Sequence, residues 1–361
     1  LQFTCLLQEL QYALSVIAPT VGTETSGHPG IRIKCHKKKN RVKLMSTEGA
    51  HSTEIWIDAT VKKPFDTVIE GDRFIGYISK LDVKEVTVKL DDERVTVESS
   101  RGKPKFGILE PEKFPDLPKI EEELRIDLAG KVFKRLVLGV AFATKPERRG
   151  AEAPLLEGIN IVSDGKRLKF MSMNGYIIAH CKKSIEAKEM NMTVAKKSLV
   201  NAAKTVRDDD KVTIQSDRNT RLIVKHNDIT YYIPVYSGSY PAIKMPKKDF
   251  MTSFTLDKHE LLGVLERGTS ILEDAGQAKG ILQVEKGKVI LEGRTQKTDF
   301  HEAIPTDVKG KKTNVKIDIR RMTDVVKAID ADQITIGINE QQPIAIQPEG
   351  RSDQTCLLAV G

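Results

Sequence analysis

The chain has one tryptophan, aromatic residues amount to 5% of 361, and four cysteines stand without a CxxC or any paired spacing. No run approaches the ~18 to 20 apolar residues that span a bilayer, and the opening LQFTCLLQELQYALSVIAP lacks the basic n-region of a signal peptide. A soluble, cytoplasmic protein with no membrane partner is expected. Cys5, Cys35, Cys181 and Cys356 read as core thiols of a reducing compartment. The motifs of phosphate handling and nucleophilic chemistry are missing too. There is no GxGxxG, no GxxxxGK[ST], no GxSxG, and no HExxH among the seven histidines. A non-enzyme without cofactor or metal is the expectation, and binding or scaffolding gains from it.

What the chain does have is positive charge and repetition. Fifty-eight Lys and Arg stand against 50 Asp and Glu, a net +8 that suits a polyanionic partner. The stretch EKFPDLPKI at 112–120 is echoed by GSYPAIKMPKK at 238–248. Proline fixes φ and restricts the residue before it, so both suit extended connectors between units. Glycine-led hairpins recur as GIRIKCHKKKNRVKLMS from Gly30, GINIVSDGKRLKFMS from Gly158 and GILQVEKGKVILEG from Gly280. A second set, EVTVKLDDERVTVES from Glu85, KVTIQSDRNTRLIVK from Lys211 and QITIGINEQQPIAIQ from Gln333, repeats the spacing independently. Each member of both sets follows a helical pattern. The repeat is a domain of about 120 residues holding two copies of helix plus antiparallel strands. Three fit: 1–118, 119–245 and 246–361. The fold class is α+β with antiparallel sheets.

Basic residues gather on helix faces. At 100° per residue, VAKKSLVNAAKTVR puts Lys196, Lys197, Lys204 and Arg207 on one arc beside a packing arc of Leu199, Ala202, Ala203 and Val206. Lys131, Lys134 and Arg135 cluster likewise opposite Phe133, Leu136, Val137 and Val140, as do Arg320, Arg321 and Lys327 in the last domain. The first helix carries no basic residue. Such a surface grips duplex phosphates without reading bases, and the scarcity of aromatics argues against stacking platforms for single strands. The run Lys37-Lys38-Lys39-Asn40-Arg41 falls in a hairpin turn and reads as a solvated tip or an added DNA contact.

The period, together with FPDL at 114–117, LEGINI at 156–161, SMNGYIIAHC at 172–181 and SGSYPAI at 237–243, resembles the bacterial sliding clamp, the beta subunit of DNA polymerase III. The resemblance spans essentially the whole chain. It implies a head-to-tail homodimer forming a ring of six domains around double-stranded DNA, helices inside and strands outside. It implies partnership with a replicative DNA polymerase and an ATP-dependent clamp loader. It adds Arg73, Lys145, Arg148 and Arg149 to the DNA-binding set. A partner-peptide pocket is implied at Leu156, Met173, Gly175, Tyr176, Ile178, Pro241, Met245, Leu357 and Leu358. A dimer contact is implied between Tyr77, Ile78, Phe106 and Ile108 on one protomer and Ile271 and Leu272 on the next. Where the family carries Thr-Asp-Gly-His-Arg-Leu this chain reads Met173-Asn174-Gly175-Tyr176-Ile177-Ile178, its end CLLAVG departs from the Met-Pro-Met-Arg tail, and its charge departs from an acidic norm, so the resemblance is that of a diverged member. The alternative is a clamp-fold scaffold that binds proteins without encircling DNA.

Overall fold

The computed structural model describes every residue except 27, 92, 118–123, 147–153, 217–219, 244, 246–248 and 275, and the side chain at 154. Among the described residues six α-helices appear where helical periodicity places them: α1 (Leu7–Ile17), α2 (Gly71–Ile78), α3 (Gly130–Ala141), α4 (Lys196–Thr205), α5 (Lys258–Leu272) and α6 (Ile319–Ala328). Each is entered directly from a strand: Gln2–Leu6, Asp66–Glu70, Leu124–Ala129, Met190–Ala195, Thr252–Asp257 and Thr313–Asp318. Six strand-to-helix entries, two per repeat, are the physical content of the sequence period.

Local chemistry fixes these entries. Asp257 and Asp318 cap α5 and α6, accepting from the N–H of Glu260 at 2.9 Å and of Arg321 at 3.1 Å. At the start of α3 glycine is required, because a Cβ on Gly130 would lie 1.9 Å from the Arg207 carbonyl oxygen. Gly30 leads its hairpin for the same reason, an added Cβ meeting Val68 at 2.4 Å. The three predicted glycine-led hairpins form, pairing Gly30–His36 with Arg41–Glu48, Gly158–Ser163 with Arg167–Met173 and Gln277–Glu285 with Lys288–Arg294, and the strands of the second set also pair antiparallel.

The chain forms two compact units, Leu1–Lys131 with Lys197–Val235, and Val132–Lys196 with Tyr236–Gly361. In the first, strand Ile229–Tyr236 pairs with His51–Asp58, Ile229 opposite Ile55 and Tyr231 opposite Thr53. In the second, Ile177–Ser184 pairs with Gln354–Leu358, Ile177 opposite Leu358 and Cys181 opposite Gln354. Strand pairing therefore joins neighbouring repeats edge to edge, leaving those edges covered rather than open. The sequence boundaries at 118/119 and 245/246 touch residues outside the described set. Before the first of them Phe114 is buried against Met45 and Val68, so that connector is anchored.

All four cysteines are free and buried. Burial pushes the thiols of Cys5, Cys35 and Cys181 up to about 12, which suits inert core groups. No helix among the described residues is long and apolar enough to cross a membrane.

Candidate functional site

The segment Met173–Ile178 forms a tight turn in the second unit. The Asn174 Oδ1 accepts from the N–H of Tyr176 at 3.0 Å and of Ile177 at 2.9 Å, while Gly175 takes φ +95°. This is an Asx turn with glycine at the position a side chain would strain. It is tied down from outside by the Ala359 N–H, which donates to the Tyr176 carbonyl at 2.8 Å. The consequence is an aromatic held out in solvent: Tyr176 is 53% exposed while Ile177 beside it is 3% exposed. Over the Tyr176 ring lies the Arg321 guanidinium, 3.5 Å from the centroid. Arg321 thus faces this turn, where the sequence reading grouped it with Arg320 and Lys327.

Strand alternation carries the surface further. Met173 lies opposite Ile178, Ile178 opposite Leu357, and Leu357 opposite Ala345. Met173 and Ile178 are half-buried on this face. Leu357 is buried beneath it, and Leu358, opposite Ile177 and Ile344, belongs to the core on the other side. The expectation that Leu358 lines a pocket is therefore corrected: it sits in a paired strand at 0% exposure, and no ligand can touch it without unpairing that strand.

On the same sheet a cleft of about 120 Å³ is lined by His180, Lys182, Met245, Phe250, Ala345, Gln347, Ser352 and Thr355. Of the residues named from sequence only Met245 lines it; Leu156, Gly175 and Pro241 do not. The alternation 178, 180, 182 against 355, 357 and 345, 347 was the signal that could have found the rest. Burial, helped by Lys182 and Lys169, holds the His180 pKa down at about 4, so its imidazole is neutral at physiological pH.

The cationic helix faces divide into free and committed charges. Lys131 and Lys204 are exposed and Lys196 is half-buried, and none of the three makes an ion pair among the described residues. Arg207 is exposed at the end of the α4 segment, and Lys145 is exposed beyond α3. Lys197 reaches Glu48 at 2.9 Å, Lys327 reaches Glu266 at 3.1 Å, Arg73 reaches Glu70 at 3.3 Å, and Arg320 pairs with Glu273. Lys134 is half-buried. Arg135 has only 16% of its side chain exposed and is locked to Asp353. Its inclusion among phosphate contacts is corrected: period alone cannot show that a carboxylate from another strand already holds it. Arg148 and Arg149 lie outside the described residues.

Family models now decide the lineage. The N-terminal, central and C-terminal domains of the DNA polymerase III beta subunit match residues 1–118, 127–242 and 245–359 in order. The chain belongs to the DNA polymerase III beta subunit family. Relatives include the beta sliding clamp of Staphylococcus aureus, 22% identical over 344 residues and 90% of each chain, and that of Staphylococcus epidermidis, 21% identical over 348 residues and 90% of each. The solved sliding clamp of Bacillus subtilis superposes with a TM-score of 0.90 at 19% identity, covering 100% of this chain and 98% of the other. The beta subunit of Streptococcus pyogenes does so at 0.90 and 19%, covering 100% of both.

As a beta subunit, this chain carries two candidate apolar contact patches. In the first unit the Phe106 ring meets Phe74 edge-on at 5.3 Å and Tyr77 at 6.0 Å, and Phe106, Tyr77 and Ile108 are all half-buried. In the second, Ile271 lies in the last turn of α5 at 42% exposure. Two members of the expected contact are corrected. Ile78 is 0% exposed, and Leu272 is 3% exposed in the space that Gly293 leaves open, so each is core of its own unit.

Proposed function

We propose that this protein is a DNA polymerase processivity factor: two copies close head to tail into a ring around duplex DNA and tether the replicative polymerase through a peptide pocket beside Tyr176. The observation that carries the reading is the ordered match of all three beta-subunit domains along one chain. Enclosure resolves the conflict between holding DNA and moving along it, since phosphate contacts are blind to sequence and easily exchanged. Lys131, Lys196, Lys204 and Arg207 are the phosphate contacts this reading favours. Ring opening falls to a separate ATP-dependent loader, in keeping with a chain that has no phosphate loop. The site of action is the cytoplasm.

In this reading the partner peptide lies across Met173, Ile178 and Met245, with Tyr176 and its stacked Arg321 as a wall. A methionine-lined apolar surface adapts to varied ligands. Calorimetric titration with a peptide bearing glutamine followed by leucine and aromatic residues tests it. Binding should be detected, and Tyr176→Ala should weaken it by about 1 to 3 kcal/mol. No heat with the unaltered protein, or an unchanged affinity in Tyr176→Ala, would place the polymerase contact on another surface.

A further inference from the structure

The lone tryptophan lies in a setting that the helix-face reading does not use. Strand residues 34 and 36, 41 and 43, and 56 alternate with the buried Ile33, Cys35, Val42, Leu44, Ile55 and Ile57, so they share the face turned away from the core. Trp56 lies opposite Lys43 in the paired strands. Three cations approach its ring: Lys39 Nζ and Lys43 Nζ each at 5.4 Å from the centroid, and Arg41 Cζ at 5.7 Å. The His36 ring packs at 4.8 Å, and its Nε2 is buried with no hydrogen-bond partner among the described residues.

Like charges are concentrated here against their own repulsion. Lys34 lies directly opposite Lys43 on neighbouring strands, an unfavourable cross-strand pair. Carboxylates answer some of the charge, Asp66 for Lys34 at 3.3 Å, Glu54 for Lys43 at 3.1 Å, and Asp58 and Asp228 for Arg41 at 3.1 and 2.7 Å. Lys37, Lys38 and Lys39, all exposed on one 3₁₀ turn, make no ion pair among the described residues. Neither do Lys62 and Lys63, on the short strand Thr60–Lys63 that packs beside that turn. Lys39 therefore links the ring to a group of exposed ammoniums that make no ion pair among the described residues, Lys37 and Lys38 on its own turn and Lys62 and Lys63 on the strand beside it.

We propose that this face, centred on Trp56 and the Lys37–Lys39 turn, binds single-stranded nucleic acid. The ring decides between polyanions. A single strand offers both phosphates for the lysines and unstacked bases for the indole, and an aromatic on a sheet face flanked by cations is how such strands are held without sequence preference. A duplex keeps its base faces stacked, and an acidic peptide of Asp and Glu has none. Lys39 now covers the ring and is itself exposed, so a base can take its place while the ammonium moves to a phosphate. The low aromatic content of the chain hid this, because one ring in the right register suffices.

Trp56 is the sole tryptophan, so its emission reports this face alone. The full-length protein is titrated at low salt with a dT oligonucleotide, an abasic oligonucleotide of equal length, a duplex, and a poly-glutamate peptide. The dT strand should quench Trp56 emission, the other three much less. The exposed triple variant Lys37→Ser, Lys38→Ser, Lys39→Ser should weaken dT binding about tenfold or more and lower the salt slope by about 2, at roughly 0.7 per single-strand phosphate contact. Binding of labelled dT to Trp56→Phe, with the fold checked by circular dichroism, should be retained but weaker. Absence of quenching while labelled dT binds, or equal quenching by duplex, abasic strand or poly-glutamate, would overturn the proposal.

Discussion

Ile271→Lys should turn the proposed head-to-tail dimer into a monomer of 40.2 kDa without unfolding either unit. Ile271 is apolar and 42% exposed at the last turn of α5, so a lysine there can reach solvent in the isolated unit. Burying an unpaired ammonium against the Phe106 and Tyr77 patch of a second copy costs several kcal/mol, about enough to defeat association at micromolar concentration. Light scattering with circular dichroism reads both parts of the expectation. Leu272→Ala is the contrasting variant. At 3% exposure Leu272 is core, and truncation there should lower stability by about 2 to 5 kcal/mol. Should Ile271→Lys still run as a dimer, α5 does not carry the contact.

Duplex binding should respond just as selectively. The triple change Lys131→Ser, Lys196→Ser, Lys204→Ser removes three cations that make no ion pair among the described residues, and should flatten the salt dependence by about 0.9 for each contact. Near 0.15 M salt that is roughly a hundredfold loss of affinity, equal across unrelated sequences. Arg135→Ser and Arg321→Ser should leave the slope unchanged, because one side chain is held by Asp353 and the other lies over Tyr176. Equal slopes for these controls and the triple variant, or a strong preference among duplexes, would contradict the assignment.

The contrast between those two groups shows what was legible in the sequence. The repeat fixed the fold: periodicity placed the helices, and the three glycine-led hairpins closed on the turns their polar residues marked. Which strands join neighbouring repeats was not legible, since the pairing of Ile177–Ser184 with Gln354–Leu358 depends on contacts far apart in the chain. That pairing is why Leu358, read as a tail residue over a pocket, is core. Helical phase found the faces of α3 and α6 but not the partners waiting there. Arg135 and Arg321 share the arc of their neighbours in projection, yet Asp353 and Tyr176, each from a distant segment, take them out of it. Buried positions misread as interface follow the same logic. Leu272 neighbours Ile271 in sequence, but one step on a helix turns about 100° and carries it from solvent to core.

The topological claim is tested most directly by retention on DNA. Protein loaded with an ATP-dependent loader onto nicked circular DNA is separated by gel filtration before and after the circle is cut once. A closed ring should stay on the circle through the column and be lost from the linear product by sliding off its ends, whereas Ile271→Lys should be lost from both. Equal retention on circular and linear DNA would contradict encirclement.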